Sequence, residues 1–201
     1  MATPSKLELI LRKNRLELSD LQGKSKVWFD GQVRSMTSIA TRRPNSIMQG
    51  DNANKGTRII PGNLYMFIYD PKHKETLPYY DTFPLVFPFK QVKGGFYGLN
   101  MHYLPYMLRA KLLDRLLEFR NNTAMDESTR LKFSWSMING MSQFAPAQAC
   151  VKHYLYPYVR SQFKAVHASD WATAMLLPVE QFQKASTSQV WRDSTRITRG
   201  R

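Results

Sequence analysis

The sequence predicts an α+β fold: a small antiparallel, partly closed sheet of the SH3-like or OB-like kind, packed against helices and flanked by polar, basic arms. Three observations predict it. Residues 62–105 are almost all aromatic, β-branched or turn-forming and fall into short runs, as strands joined by tight turns do. The residues that follow place apolar side chains at helical spacing between capping residues. The ends of the chain are polar, and Lys+Arg 29 against Asp+Glu 15 gives a net charge of +14. The expected organisation is a helical N-terminal arm and basic loop over 1–61, one core domain over 62–182, and a basic, flexible tail over 183–201.

In the N-terminal arm, residues 6–13 form an amphipathic helix with Leu7, Ile10 and Leu11 on one side. That face has to dock on the body or on a neighbour. Ser19-Asp20 is a cap for a second helical segment, and residues 25–39 continue with Val27, Trp28, Val33, Met36 and Ile39 apolar. Gly31 inside this run costs about 1 kcal/mol against alanine and is a place for a break. Residues 40–57 lose periodicity and are rich in Asn, Gly and Ser, which reads as a long loop.

In the core, residues 63–69 put Leu64, Met66 and Ile68 on one face and Tyr65, Phe67 and Tyr69 on the other, the pattern of a strand covered on both sides. Asp70-Pro71-Lys72 ends it, because proline has no N–H for the ladder. Residues 83–89 contain Pro84 and Pro88, which confine that run to a sheet edge or to a bulged strand. Gly94-Gly95 turns the chain into a third run, 96–103, closed by Pro105.

Residues 105–120 are helical in pattern, with Leu108, Leu112, Leu116 and Phe119 opposite Lys111, Asp114, Arg115 and Glu118. Arg109 falls on the apolar side. It either finds a buried partner, for which Asp70 and Asp81 are the candidates, or carries its head group to the edge. Asp126 or Ser128 caps the next helix, 129–141. Residues 147–163 make a third segment, interrupted at Pro157, and Ser169-Asp170 caps a short helix that Pro178 stops. The tail beyond Phe182 is expected to extend as an arm that orders on a partner, with Trp191 its only large anchor.

The charge excess calls for an anionic partner, nucleic acid first. Little of it belongs to 63–104, so the basic surface surrounds a nearly neutral aromatic centre. Cys150 is the only cysteine, so intrachain disulfides and cysteine metal clusters are excluded, and its apolar neighbours mark a core residue. Asp51 with Asp70-Pro71-Lys72 imitates the carboxylates and lysine of magnesium nucleases, but Pro71 breaks the strand that arrangement needs. His73, His102, His153 and His167 lack local ligand spacing, and His102 reads as a core histidine. There is no nucleophile, Walker or dinucleotide motif, and no cofactor is expected. Seven of the ten tyrosines lie between Tyr65 and Tyr106. Most read as core, while Tyr79 and Tyr80, in a proline-bounded loop, are candidates for stacking on bases.

The succession Tyr65-x-Phe67-x-Tyr69-Asp70-Pro71-Lys72, Leu77-Pro78-Tyr79-Tyr80-Asp81-x-Phe83-Pro84-Leu85 and Gly98-Leu99-Asn100-x-His102-Tyr103-Leu104-Pro105 resembles a block in small structural proteins of T4-like tailed bacteriophages. Among these it is most similar to the DNA end protectors. The block carries no catalytic residue. The resemblance implies a non-enzymatic virion component, assembled in the host bacterial cytoplasm, that occupies the ends of packaged double-stranded DNA and shields them from exonucleases. Head, neck or tail subunits are further partners, and no membrane is. A structural adaptor of the neck, tail or baseplate is the alternative. For DNA the candidate contacts are Arg42, Arg43, Lys55 and Arg58, then Arg192, Arg196, Arg199 and Arg201, with Lys152, Arg160 and Lys164 in the helical region and Tyr79 and Tyr80 for stacking.

Overall fold

Side-chain alternation in the first strand sets the plan of the molecule. In the computed structural model, residues 59–199 are described except 121, 122, 144, 177 and 178, together with Trp28 and Gly31. The predicted arm helix 6–13 and the loop 40–57 lie outside the described residues. Strand β1, Leu64–Met66, is the middle of the plan. Leu64, Met66 and Ile68 join one core cluster, and Tyr65, Phe67 and Tyr69 join a second on the opposite face. The strand is thus covered on both sides, as its sequence predicts.

A two-residue strand β2, Tyr80–Asp81, precedes β3, Leu85–Val92, and β4, Gly95–Asn100. Later in the chain come β5, Val151–Leu155, β6, Lys164–Val166, and β7, Phe182–Gln183. The main sheet is antiparallel with order β5-β4-β3-β1-β6, and β2 pairs with β7 apart from it. Its terminal strands, β5 and β6, do not pair with each other, so the sheet is not closed. Strand β3 is central although it contains Pro88. The register shifts between Pro88 and Lys90, and a bulge at that point lets a residue without an N–H sit inside the ladder. Gly94, at φ 80°, makes the turn into β4.

Helix α1, Tyr106–Arg120, follows the tight turn Met101–Tyr103, and α2, Glu127–Gln143, packs beside it. Asp126 is the cap of α2: its carboxylate accepts from the Thr129 N–H at 2.8 Å and from the hydroxyls of Ser128 and Thr129. These bonds, the Thr129 N–H first, hold the Asp126 carboxyl well below the usual carboxylate range. Helix α3, Trp171–Leu176, brings Trp171 edge-on to Phe87, 5.2 Å between ring centres. The first core cluster fills the space between these helices and the sheet, with Trp28 packed against it. The second carries no α-helix among the described residues. Tyr65, Phe67, Tyr69, Phe96 and Tyr154 close on one another and on Phe163, and Tyr158 and Val159 lie against them.

Three expectations are corrected. The segment 147–163 is not helical: after the short turn Ala145–Cys150 it runs as β5 along β4. The free edge of β4 supplies unpaired backbone groups, and the alternation of Tyr154 with its neighbours suits a strand better than the apolar spacing suits a helix. The C-terminal stretch does not extend as an arm: Thr187–Arg199 is helix α4, with Val190 and Ser194 buried one turn apart. Its anchor, Trp191, holds it to its own body, donating from Nε1 to the His102 carbonyl at 2.8 Å and packing edge-on against Tyr106.

Arg109 is the third. It is fully buried, and its carboxylate partner is Glu180, not Asp70 or Asp81. Its guanidinium also donates to the carbonyls of Leu104, His102 and Met175 at 2.7, 3.0 and 3.1 Å. The rings of Tyr106 and Trp191 lie 4.8 and 5.4 Å from it. No head group reaches the edge, because four acceptors and two ring faces converge on it inside.

Candidate nucleic-acid interface

The ionisable groups divide into a buried set that ties elements together and an outer set open to solvent. Within, the Asp81 carboxylate of β2 lies 2.7 Å from His102 Nδ1 and accepts from Asn100 Nδ2 and the Phe83 N–H at 3.0 Å each. Asn100 Nδ2 also donates to the Tyr154 hydroxyl at 3.1 Å, which links β2, β4 and β5. Burial alone would raise the Asp81 carboxyl, but the His102 ring, the Asn100 amide and the Phe83 N–H together hold it below its ordinary value. Burial pushes the Tyr154 and Tyr103 hydroxyls far up and the Cys150 thiol up to about 12. These groups are kept neutral and serve the packing.

Among the residues expected to meet a partner, Lys152 turns inward: its Nζ lies 3.9 Å over the Tyr103 ring, and burial pushes its ammonium down. Tyr79 is half-buried between Tyr103 and Phe182, and Tyr80 is half-buried in β2. Lys164 stands in edge strand β6. Arg160 is exposed, 3.5 Å from Asp70, and donates to the Pro157 carbonyl. Asp70 also pairs with Lys74 at 3.0 Å. Arg192 and Arg196 are exposed one turn apart on α4, with Arg192 bonded to Gln189. Arg42, Arg43, Lys55, Arg58 and Arg201, and the side chain of Arg199, lie outside what is described. The described members are therefore spread over several elements. Among the described residues no three of His, Cys, Asp and Glu are placed to hold a metal ion, and no helix is long and apolar enough to cross a membrane.

A surface row that sequence reasoning missed lies across the hairpin end of the sheet. Lys90 of β3 pairs in register with Tyr97 of β4, which pairs with His153 of β5. The Tyr97 and His153 rings are stacked, 4.6 Å apart and 17° from parallel, and Lys90 and His153 are exposed. Residues directly opposite across strands share a face. The signal lay in the pairing of β4 with β5, which a helical reading of 147–163 concealed.

Fold and surface define an α+β protein with a buried polar centre and an outer shell of cations. Residues 13–194 match the family model described as Phage T4 terminal DNA protecting protein, and the chain belongs to that family. No curated protein and no solved structure matches it.

Proposed function

We propose that this protein is a non-enzymatic component of the phage particle that binds the ends of packaged double-stranded DNA and shields them from exonucleases by occupying them. The observation that carries the reading is the family match over residues 13–194. The net charge of +14 supports it, since a cationic surface gains affinity for phosphates by releasing their counterions. Arg42, Arg43, Lys55 and Arg58, with Arg192, Arg196, Arg199 and Arg201, hold the backbone, which positions without reading sequence. Arg160 and Lys164 add to the same field. Lys152, with its ammonium over Tyr103, contributes through the fold more than through contact.

The test is a gel shift on blunt linear DNA against a closed circular competitor at two salt concentrations, followed by exonuclease digestion of the bound duplex. Preference for linear DNA, a steep loss of affinity with salt and surviving ends are expected. Equal binding to both forms, or a flat salt response, overturns the reading. Absence of DNA binding, with the protein found at a fixed ring of the neck, tail or baseplate, supports the adaptor instead.

A further inference from the structure

The described helices cover the sheet over Leu64, Leu85, Phe87 and Leu99 and leave Lys90, Lys93 and His153 at its hairpin end exposed. There the row Lys90, Tyr97, His153 stands on the helix-bearing face, where Tyr97 packs against the edge of the core. The next turn adds Lys93, also exposed. Neither lysine has an ion-pair partner among the described residues. Strand β5 is an edge strand, so the sheet ends beyond His153. With its ring nearly parallel to that of Tyr97, one face is covered by the phenol and the other looks outward past the sheet edge. Trp135, 40% exposed, donates its indole N–H to the Phe89 carbonyl at 3.0 Å, next to Lys90, and borders the same surface.

An aromatic pair with one open face, flanked by exposed ammonium groups, suits a flat anionic ligand. Nucleobases are flat and each nucleotide brings a phosphate. Inside a duplex every base pair is covered above and below by its neighbours, and only the last one presents a bare face. We propose that the Tyr97–His153 pair is the seat of the terminal base pair of duplex DNA, with Lys90 and Lys93 on the phosphates of the last nucleotides. This deepens the DNA-end reading and rests on it. It supplies a reason for preferring an end over an internal segment, which basic residues alone do not. Because every base has a π-face, the seat accepts any terminal sequence.

The experiment uses the full chain and a blunt duplex carrying a fluorescent adenine analogue at the terminal or at a central position, with closed circular DNA as competitor. Wild type is expected to quench the terminal probe and leave the central one unchanged. His153→Ala should abolish that quench and weaken end binding about tenfold, within the range of one lost base stack. His153→Tyr should keep both. The double replacement Lys90→Ala with Lys93→Ala should weaken binding and lower the salt slope by about two. His153 is exposed, so its variants should melt with the wild type, which a thermal scan checks. If His153→Ala keeps the quench and the affinity while wild type still prefers linear DNA, the seat is wrong and the DNA-end reading stands. If wild type binds circular DNA equally well, both fall.

Discussion

The two faces of the sheet are covered by different means. On one face α1, α2 and α3 lay leucines, methionines and Trp171 over Leu64, Leu85 and Leu99. On the other no α-helix is present among the described residues, and eight buried residues, five of them aromatic, with Tyr158 and Phe163 against them, do the same work. A buried aromatic ring removes about 150–250 Å² from water, so a few rings meeting edge to face replace a whole helical layer. The polar centres differ in the same way. The helical face holds the charged Arg109–Glu180 cross-link, while the aromatic face is held at its rim by hydroxyls such as that of Tyr69, which accepts from the Leu155 N–H at 3.1 Å.

Breaking each face in turn sharpens the contrast. The largest loss is expected from Phe67→Ala, which removes the ring that meets Tyr69, Phe96, Tyr154 and Phe163. Denaturant melts should show about 3–5 kcal/mol. A comparable fall, about 3–5 kcal/mol, is expected for Arg109→Met, because Glu180 is left buried without its cation. Adding Glu180→Met should restore only part of it, since the carbonyls of His102, Leu104 and Met175 remain without donors. Full recovery in the double variant would show that the charge pair alone matters there.

Asp81→Asn should cost less, roughly 1–3 kcal/mol at neutral pH, for a disturbed buried hydrogen-bond set. The folded protein holds this carboxyl below its ordinary value, so its contribution is complete above the unfolded pKa of about 3.9 and disappears as pH falls through the folded one. The gap in Tm between wild type and variant should be full at pH 7 and close in acid. The smallest effect belongs to the rim. Tyr69→Phe leaves the Leu155 N–H without its acceptor and should lower stability by about 1 kcal/mol.

Much of this was legible in the residues. The alternation of 64–69 named both faces of β1, the prolines of 83–89 limited that run to an edge or a bulged strand, of which β3 is the bulged one, and Asp126 was one of two caps read for α2. Arg109 was legible as a problem but not in its solution: Glu180 lies 71 positions away in the chain, and no local pattern links them. The segment 147–163 misled because Tyr, Ala and Lys occur in strands and helices alike, and only the open edge of β4 chose the strand. Gly95 depends on the same edge, since a methyl there would run into the Tyr154 carbonyl.

The sequence by itself determined the class of fold, the strand whose two faces are both buried, the excess of cationic charge and the block of aromatics that marks the family. The tertiary structure decided which carboxylate meets Arg109, that the C-terminal stretch folds back as α4, and that His153 stands beside Tyr97 with Lys90 in the same row. The physical reason is common to all three. Periodicity and caps are set by neighbours along the chain, whereas ion pairing, docking and cross-strand register depend on groups far apart in sequence that meet only when the core closes.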